Sequence, residues 1–167
     1  MSLGTVHMVY GASGAGKTTF SLALAKRLAG VHFPIDRWMQ DLFGPDLPDE
    51  LTFDWVTGRV ARCEAVIWAH ATQLVTLGLD VVLDFGFMQR SDRERVAGLV
   101  AAADFQLERH YLHADAQLRR DRVIARNLEQ GPTYSVPVSP EMFEFAEGLF
   151  EQPTEEEQAL GAVIQTH

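Results

Sequence analysis

A three-layer α/β fold, with a five-stranded, mostly parallel sheet covered by helices on both faces, is predicted from three features of the sequence. Short β-branched apolar runs alternate with longer segments of helical spacing, the pattern of linked βαβ units. The first such run leads straight into a glycine cluster and then a helix, which places a tight loop at the carboxyl end of a strand. The 167 residues, with 47% hydrophobic and 22% charged, can bury a core as a single domain over residues 1–167 without disulfides or metals.

Each element follows from local signals. Thr5 to Tyr10 is β-branched and apolar, ends at Gly11, and reads as a buried strand. After Lys17, Phe20, Ala23, Leu24 and Leu28 fall at helical spacing, and Gly30 sits where a left-handed stop is expected. Val31 to Phe33 is a second strand, after which Asp36 can cap a brief helix ending in the Gly44 to Pro48 turn. Apolar residues from Val56 to Val75 predict a long helix over about 53–77, closed by Gly78. Asp80 to Asp84 is a third strand, and Ser91-Asp92-Arg93-Glu94 has the form of a capping box opening a helix to about Ala103. Leu107 to Leu112 alternates as a fourth strand, Asp115 caps a helix to about Gln130, and Ser139-Pro140 opens another. Ala162 to Gln165 completes the sheet. The loop from Gly131 to Ser139 suits either a mobile flap over a site or an ordinary surface connection.

Charge narrows the partners. With 14 Lys+Arg against 23 Asp+Glu the formal charge is −9, which gives no general attraction to nucleic acid or anionic lipid. No run approaches the roughly 20 apolar residues of a membrane span, and the first basic residue, Lys17, lies beyond the glycine cluster, so no secretory signal is expected. Cys63 is the lone cysteine, read as core, and a reducing cytoplasm is the expected location.

Gly11-Ala12-Ser13-Gly14-Ala15-Gly16-Lys17-Thr18, followed by Thr19, fits G-x-x-x-x-G-K-[ST] at every fixed position, with a strand before it and a helix after. Glycines allow successive N–H groups to point at phosphate oxygens, and the new helix adds the positive end of its dipole. Lys17 is expected to reach the β/γ-phosphates of a nucleoside triphosphate and the Thr18 hydroxyl to hold Mg²⁺. Asp84 ends the third strand and reads as a Walker-B-like residue serving the same ion, or as a cap for the next loop. The triplet Asp84-Phe85-Gly86 does not mark a protein kinase, since no His-Arg-Asp loop precedes it and no Ala-Pro-Glu follows. A guanine-reading Asn-Lys-x-Asp element is excluded because Asn127 is the only asparagine. No acid neighbours Asp84 to polarise a water for hydrolysis.

A phosphotransferase needs a base across the crevice from this loop, at the carboxyl edge of the sheet. Asp36 is placed for that role and for capping, and the two can coexist. Arg119, Arg122 and Arg126, spaced i, i+3, i+7, share one helix face, where triphosphate oxygens would relieve their repulsion. The same face could instead be solvated and paired with Asp115, Asp121 and Glu129.

This P-loop, the Asp36-Arg37 pair about twenty residues on, Val81 to Phe87 with Arg90 after it, and Arg122 to Asn127 resemble the zeta-toxin, chloramphenicol-phosphotransferase and polynucleotide-kinase group of small P-loop kinases. Val81 to Phe87, Arg90 and Arg122 to Asn127 look more closely like the small bacterial zeta-toxin-like ATP-binding proteins. The resemblance implies a nucleotide-kinase-like P-loop fold with an arginine-bearing lid helix. It also implies ATP as the nucleotide, Asp36 taking the acceptor proton, and Arg122 and Arg126 steadying the transferring phosphoryl group.

Arg37 and Arg90, which follow the second and third strands, are the expected contacts to a small-molecule acceptor. Arg59 and Arg62 face either the crevice or surface acids such as Glu64, and Arg120 is expected at the surface. His110 and His113 lie on opposite faces of a strand and cannot share an ion. Trp38, Trp55 and Trp68 read as core or cleft wall. Two functions remain: an ATP-dependent small-molecule kinase, or a nucleotide-binding switch with slow hydrolysis that regulates a partner.

Overall fold

The central strand β1 (Thr5–Tyr10) carries side chains for both faces of the sheet, and all but its first residue are buried. The computed structural model describes residues 2–131 and 137–167. Of the Gly131 to Ser139 loop, residues 132–136 lie outside the described residues, and with them the flap expectation. Around β1 stand β2 (Val31–Pro34), β3 (Val81–Asp84), β4 (Gln106–His113) and β5 (Ala162–Gln165), in the order β2-β3-β1-β4-β5. Every pairing is parallel, so the mostly parallel sheet of the sequence is a wholly parallel one.

Helices follow the strands: α1 (Lys17–Leu28), α2 (Ile35–Phe43), α3 (Phe53–Thr76), α4 (Arg90–Ala102), α5 (Ala116–Glu129), α6 (Pro140–Leu149) and the short α7 (Glu155–Gln158). Period-two alternation divides β1 between the layers. Val6, Met8 and Tyr10 pack with Ile67, Ala71 and Val75 of α3 and Val96 and Val100 of α4. Val9 packs with Leu24 and Ala25 of α1 and with Leu112 of β4 on the other face. Buried Cys63 belongs to the first of these clusters, as expected.

Two capping expectations are corrected. α2 begins at Ile35 with Pro34 as its cap, so Asp36 lies within the first turn and caps nothing through its side chain. Pro34 fits the cap position because that residue is extended rather than helical. The capping box of α4 is formed by Gln89 and Asp92, two residues ahead of the Ser91/Glu94 pair, because α4 already starts at Arg90. Asp115 and Ser139 do cap α5 and α6, accepting from Gln117 N–H and Met142 N–H.

The chain after α6 is tied back by one buried cation. Arg93 of α4 donates to the Glu157 carboxylate and to the Phe87 carbonyl and lies over the Tyr10 ring. Arg93 is 3% exposed, so removing its partner leaves a charge away from water. Glu157→Ala, which leaves the Arg93 charge buried without its carboxylate, is expected to lower the free energy of unfolding by about 3–5 kcal/mol in urea titrations. The hydrogen bond from Arg93 holds the Glu157 carboxyl below its usual 4.5. The folded state therefore binds fewer protons than the unfolded one, and this stabilisation is complete above pH 4.5 and lost as the pH falls further. Glu157→Gln should flatten that part of the stability profile.

Candidate active site

The loop between β1 and α1 takes its shape from close backbone approach. Gly14 has φ +77°, and a Cβ there would stand 2.4 Å from the Arg119 carbonyl oxygen of α5. Gly16 also has positive φ, +89°, but faces open space, so its constraint is backbone conformation alone. The resulting loop opens onto a cleft of about 1590 Å³ lined by Ser13, Gly14, Gly16, Lys17, Thr18 and Thr19, with Asp36, Asp84, Arg122 and Arg126 on its other walls. Gly11, Ala12 and Ala15 form the buried side of the loop.

Lys17 bends back so that its Nζ donates to the carbonyls of Gly11 (2.9 Å) and Ala12 (3.1 Å). Burial pushes its amine pKa down, while the carboxylates of Asp84 and Asp36 oppose the shift. Asp36 is an exposed residue that opens onto the cleft, with protein crowded around its carboxyl. That crowding, then the Asp84 charge, raises its carboxyl above the usual range, against the pull of Lys17 and Arg126. Asp84 is buried at the end of β3 and lies 3.2 Å from Nε2 of His32 on β2. His32 was not legible as a site residue. Its only signal is parallel pairing in which Pro34 lies beside Asp84, a register the sequence does not state.

The arginines of α5 divide by role. Arg119 turns inward, is 7% exposed, and grips the Glu147 carboxylate of α6 with two nitrogens. It also donates to the Ser13 carbonyl of the glycine loop (3.1 Å) and to the Ala114 carbonyl. Its donors are thus engaged by protein, and it stands behind the loop rather than among the cleft-lining residues. Arg122 lines the cleft and is steadied by Thr166 Oγ1 (2.8 Å), the His167 carbonyl and, at 3.4 Å, the Gly14 carbonyl. Arg126 also lines the cleft, and its buried Nε has no partner among the described residues.

The expected acceptor contacts are placed elsewhere. Arg37 pairs with Asp41 and Arg90 with Glu94 along exposed helix faces, and neither lines the cleft. Each leaves a strand end near the crevice, but an acid one helical turn on draws it outward. Arg59 lies over the Trp55 ring at 3.8 Å instead of meeting Glu64, whose partner is Arg95. Arg120 pairs with Glu144 at the surface. Trp55 and Trp68 form cleft wall, and Trp38 packs on Phe33.

These groups fit a triphosphate with its divalent ion. Among the described residues, a buried guanidinium nitrogen lacking a partner, a lysine whose hydrogen bonds go to two carbonyls, and a hydroxyl and a carboxylate (Thr18 and Asp84) share one cleft at the start of a helix. Lys17, Arg122 and Arg126 would meet phosphate oxygens, and Thr18 and Asp84 would serve Mg²⁺.

The family model described as AAA domain matches residues 6–139 of the chain. Among solved structures, a candidate kinase from Chloroflexus aurantiacus is 20% identical over 98% of this chain and 88% of its own, with a TM-score of 0.72. Kti12 of Chaetomium thermophilum, solved with ADP-AlF3, is 14% identical over 96% and 88%, at 0.69. The Mycobacterium tuberculosis APS kinase CysC, solved with AMPPNP and APS, is 15% identical over 93% and 86%, at 0.61. At these identities the likeness is one of fold. No curated protein matches the chain by sequence.

The Arg119 clamp yields a prediction. Arg119→Ala and Glu147→Gln should each weaken nucleotide binding by about tenfold in calorimetry, and the double variant should be less than additive because both act on one contact. A much larger loss from Arg119→Ala alone would indicate that this arginine reaches the phosphates itself.

Proposed function

The chain belongs to the AAA domain family, and from that membership together with the cleft we propose that it is a P-loop kinase, moving the γ-phosphoryl group of ATP to a hydroxyl of a small-molecule acceptor. The finer likeness to zeta-toxin-like and chloramphenicol-phosphotransferase-like kinases belongs to this proposal. One observation carries it: Asp36 opens onto the same cleft as Lys17, Asp84 and Arg126, with its carboxyl raised towards the range in which it can accept a proton.

The residues divide the work. Lys17 and the loop amides hold the triphosphate, and Thr18 and Asp84 would hold Mg²⁺, which would supply neutralisation of phosphate charge. Asp36 takes the acceptor's hydroxyl proton as the acceptor oxygen bonds to the γ-phosphorus. The bond from that phosphorus to the β–γ bridging oxygen breaks, leaving ADP and a phosphate ester. Arg126 and Arg122 compensate the charge gathering on the transferred group. His32 holds Asp84 in place from the neighbouring strand.

Beyond Asp36 the cleft changes character. Its walls there include Met39, Phe43, Leu51, Trp55, Val60 and Trp68; of the cations beside them, Arg95 is taken by Glu64 and Arg59 lies over the Trp55 ring, outside the cleft lining. With Arg37 and Arg90 turned away, an uncharged acceptor with a substantial apolar body matches this half better than a sugar phosphate does.

The test is ATP consumption with Mg²⁺ against pools of hydroxyl compounds, followed by mass spectrometry for a product one phosphoryl group heavier. Asp36→Asn should cut turnover by about 10²–10⁴ while leaving nucleotide affinity near that of the parent. Lys17→Ala should remove both binding and turnover. Undiminished acceptor phosphorylation in Asp36→Asn would put the base elsewhere. Tight ATP binding with no product in any pool would instead favour the nucleotide-switch reading.

A further inference from the structure

On the face of the sheet that carries α1, away from the nucleotide loop, two buried histidines meet across neighbouring strands. His7 on β1 is 4% exposed and His110 on β4 is 8% exposed. In the parallel register His7 pairs with Glu108 and Val9 with His110, so His7, Glu108 and His110 all project to one side. Alternation along β4 separates His110 from His113: His113 is exposed and His110 buried. The real neighbour comes from β1, more than a hundred residues earlier, and only the strand order brings the two together.

Three donor atoms converge there. His7 Nδ1 lies 3.1 Å from His110 Nε2 and 3.4 Å from Glu108 Oε2, and His110 Nε2 lies 4.0 Å from that oxygen. A point equidistant from the corners of such a triangle is about 2.1 Å from each, within the roughly 2.0–2.2 Å of zinc bonds to imidazole nitrogen and carboxylate oxygen. We propose that His7, Glu108 and His110 form a binding site for a borderline divalent cation of the zinc type, with three protein ligands and the fourth position open to water.

The donor set selects the ion. Two imidazoles with one carboxylate suit zinc and its transition-metal neighbours, whereas magnesium prefers an all-oxygen octahedron. Both rings are buried, which favours the uncharged imidazole with a lone pair to give. A hydrogen bond between the rings would account for the 3.1 Å contact alone, but it leaves the Glu108 carboxylate converging on two uncharged groups. His7 Nε2, buried without a partner among the described residues, is unsatisfied in either case and does not decide between them. Glu108 stands at the exposed rim, its side chain 62% accessible, which leaves a path for the ion and room for its water. Phe20 of α1 packs on the His110 ring at 5.4 Å and closes the other side. A bound ion would tie β1 to β4 beneath α1.

The site is independent of the proposed kinase activity, and its test reads metal rather than turnover. Chain stripped with chelator is titrated with zinc chloride by calorimetry in millimolar magnesium, and with cobalt chloride by visible absorption. One equivalent of zinc at micromolar affinity or tighter, a tetrahedral cobalt band and a raised Tm are expected. Glu108→Gln, at an exposed position that leaves the core intact, should weaken zinc at least tenfold, and His110→Asn should abolish the cobalt band. Asp84→Asn, at the magnesium end, should leave the equivalent in place. Absence of binding, or binding that survives both Glu108→Gln and His110→Asn unchanged, would overturn the site.

Discussion

The candidate site depends on how closely the glycine loop is pressed against α5. Gly14 touches the backbone of Arg119, while the Arg119 side chain reaches back over the loop to the Ser13 carbonyl and is anchored by Glu147. Loop, α5 and α6 are thus fixed through one residue, by its carbonyl on one side and its guanidinium on the other. A loop whose amides must hold converging directions before a ligand arrives needs such a backing, because ordering it at the moment of binding would cost affinity. The same contact sets where Arg122 and Arg126 stand, since they lie one and two turns further along α5.

Much of this was legible in the sequence because its signals are local. The strand, glycine loop and helix at Thr5 to Leu28, the caps Asp115 and Ser139, and the long α3 follow from residue types at short spacing. Their physics, hydrogen bonds within four residues and apolar periodicity, is written in adjacent positions. The cap of α4 lies two residues ahead of the Ser91 signature because two overlapping polar quartets can both act as a cap, and the backbone chooses between them.

What the sequence did not give depends on partners distant in the chain. Arg119, Arg122 and Arg126 share a helix face, yet the first is consumed by Glu147, 28 residues away, and only the others line the cleft. Arg37 and Arg90 sit near the crevice in sequence, but each is claimed by an acid four residues on and turns outward. His32 beside Asp84 and His7 beside His110 are products of strand order and register alone. Proximity along the chain locates an element, whereas the direction of a side chain is decided by whichever partner the fold delivers.

That competition for partners also explains how an acidic chain keeps uncancelled cations at the nucleotide end of its cleft. Arg37, Arg90, Arg93, Arg95, Arg119 and Arg120 are each joined to a carboxylate. Lys17 and Arg122 are held instead by carbonyl and hydroxyl oxygens, which orient a cation without cancelling its charge, and Arg126 Nε is buried with no partner among the described residues. Of the carboxylates nearest these cations, Asp36 has its carboxyl raised above the usual range, first by burial and then by the charge of Asp84. An incoming polyanion therefore meets positive groups whose desolvation has already been borne by the fold. The attraction is confined to a concave, low-dielectric wall on a molecule whose net charge of −9 would otherwise repel it.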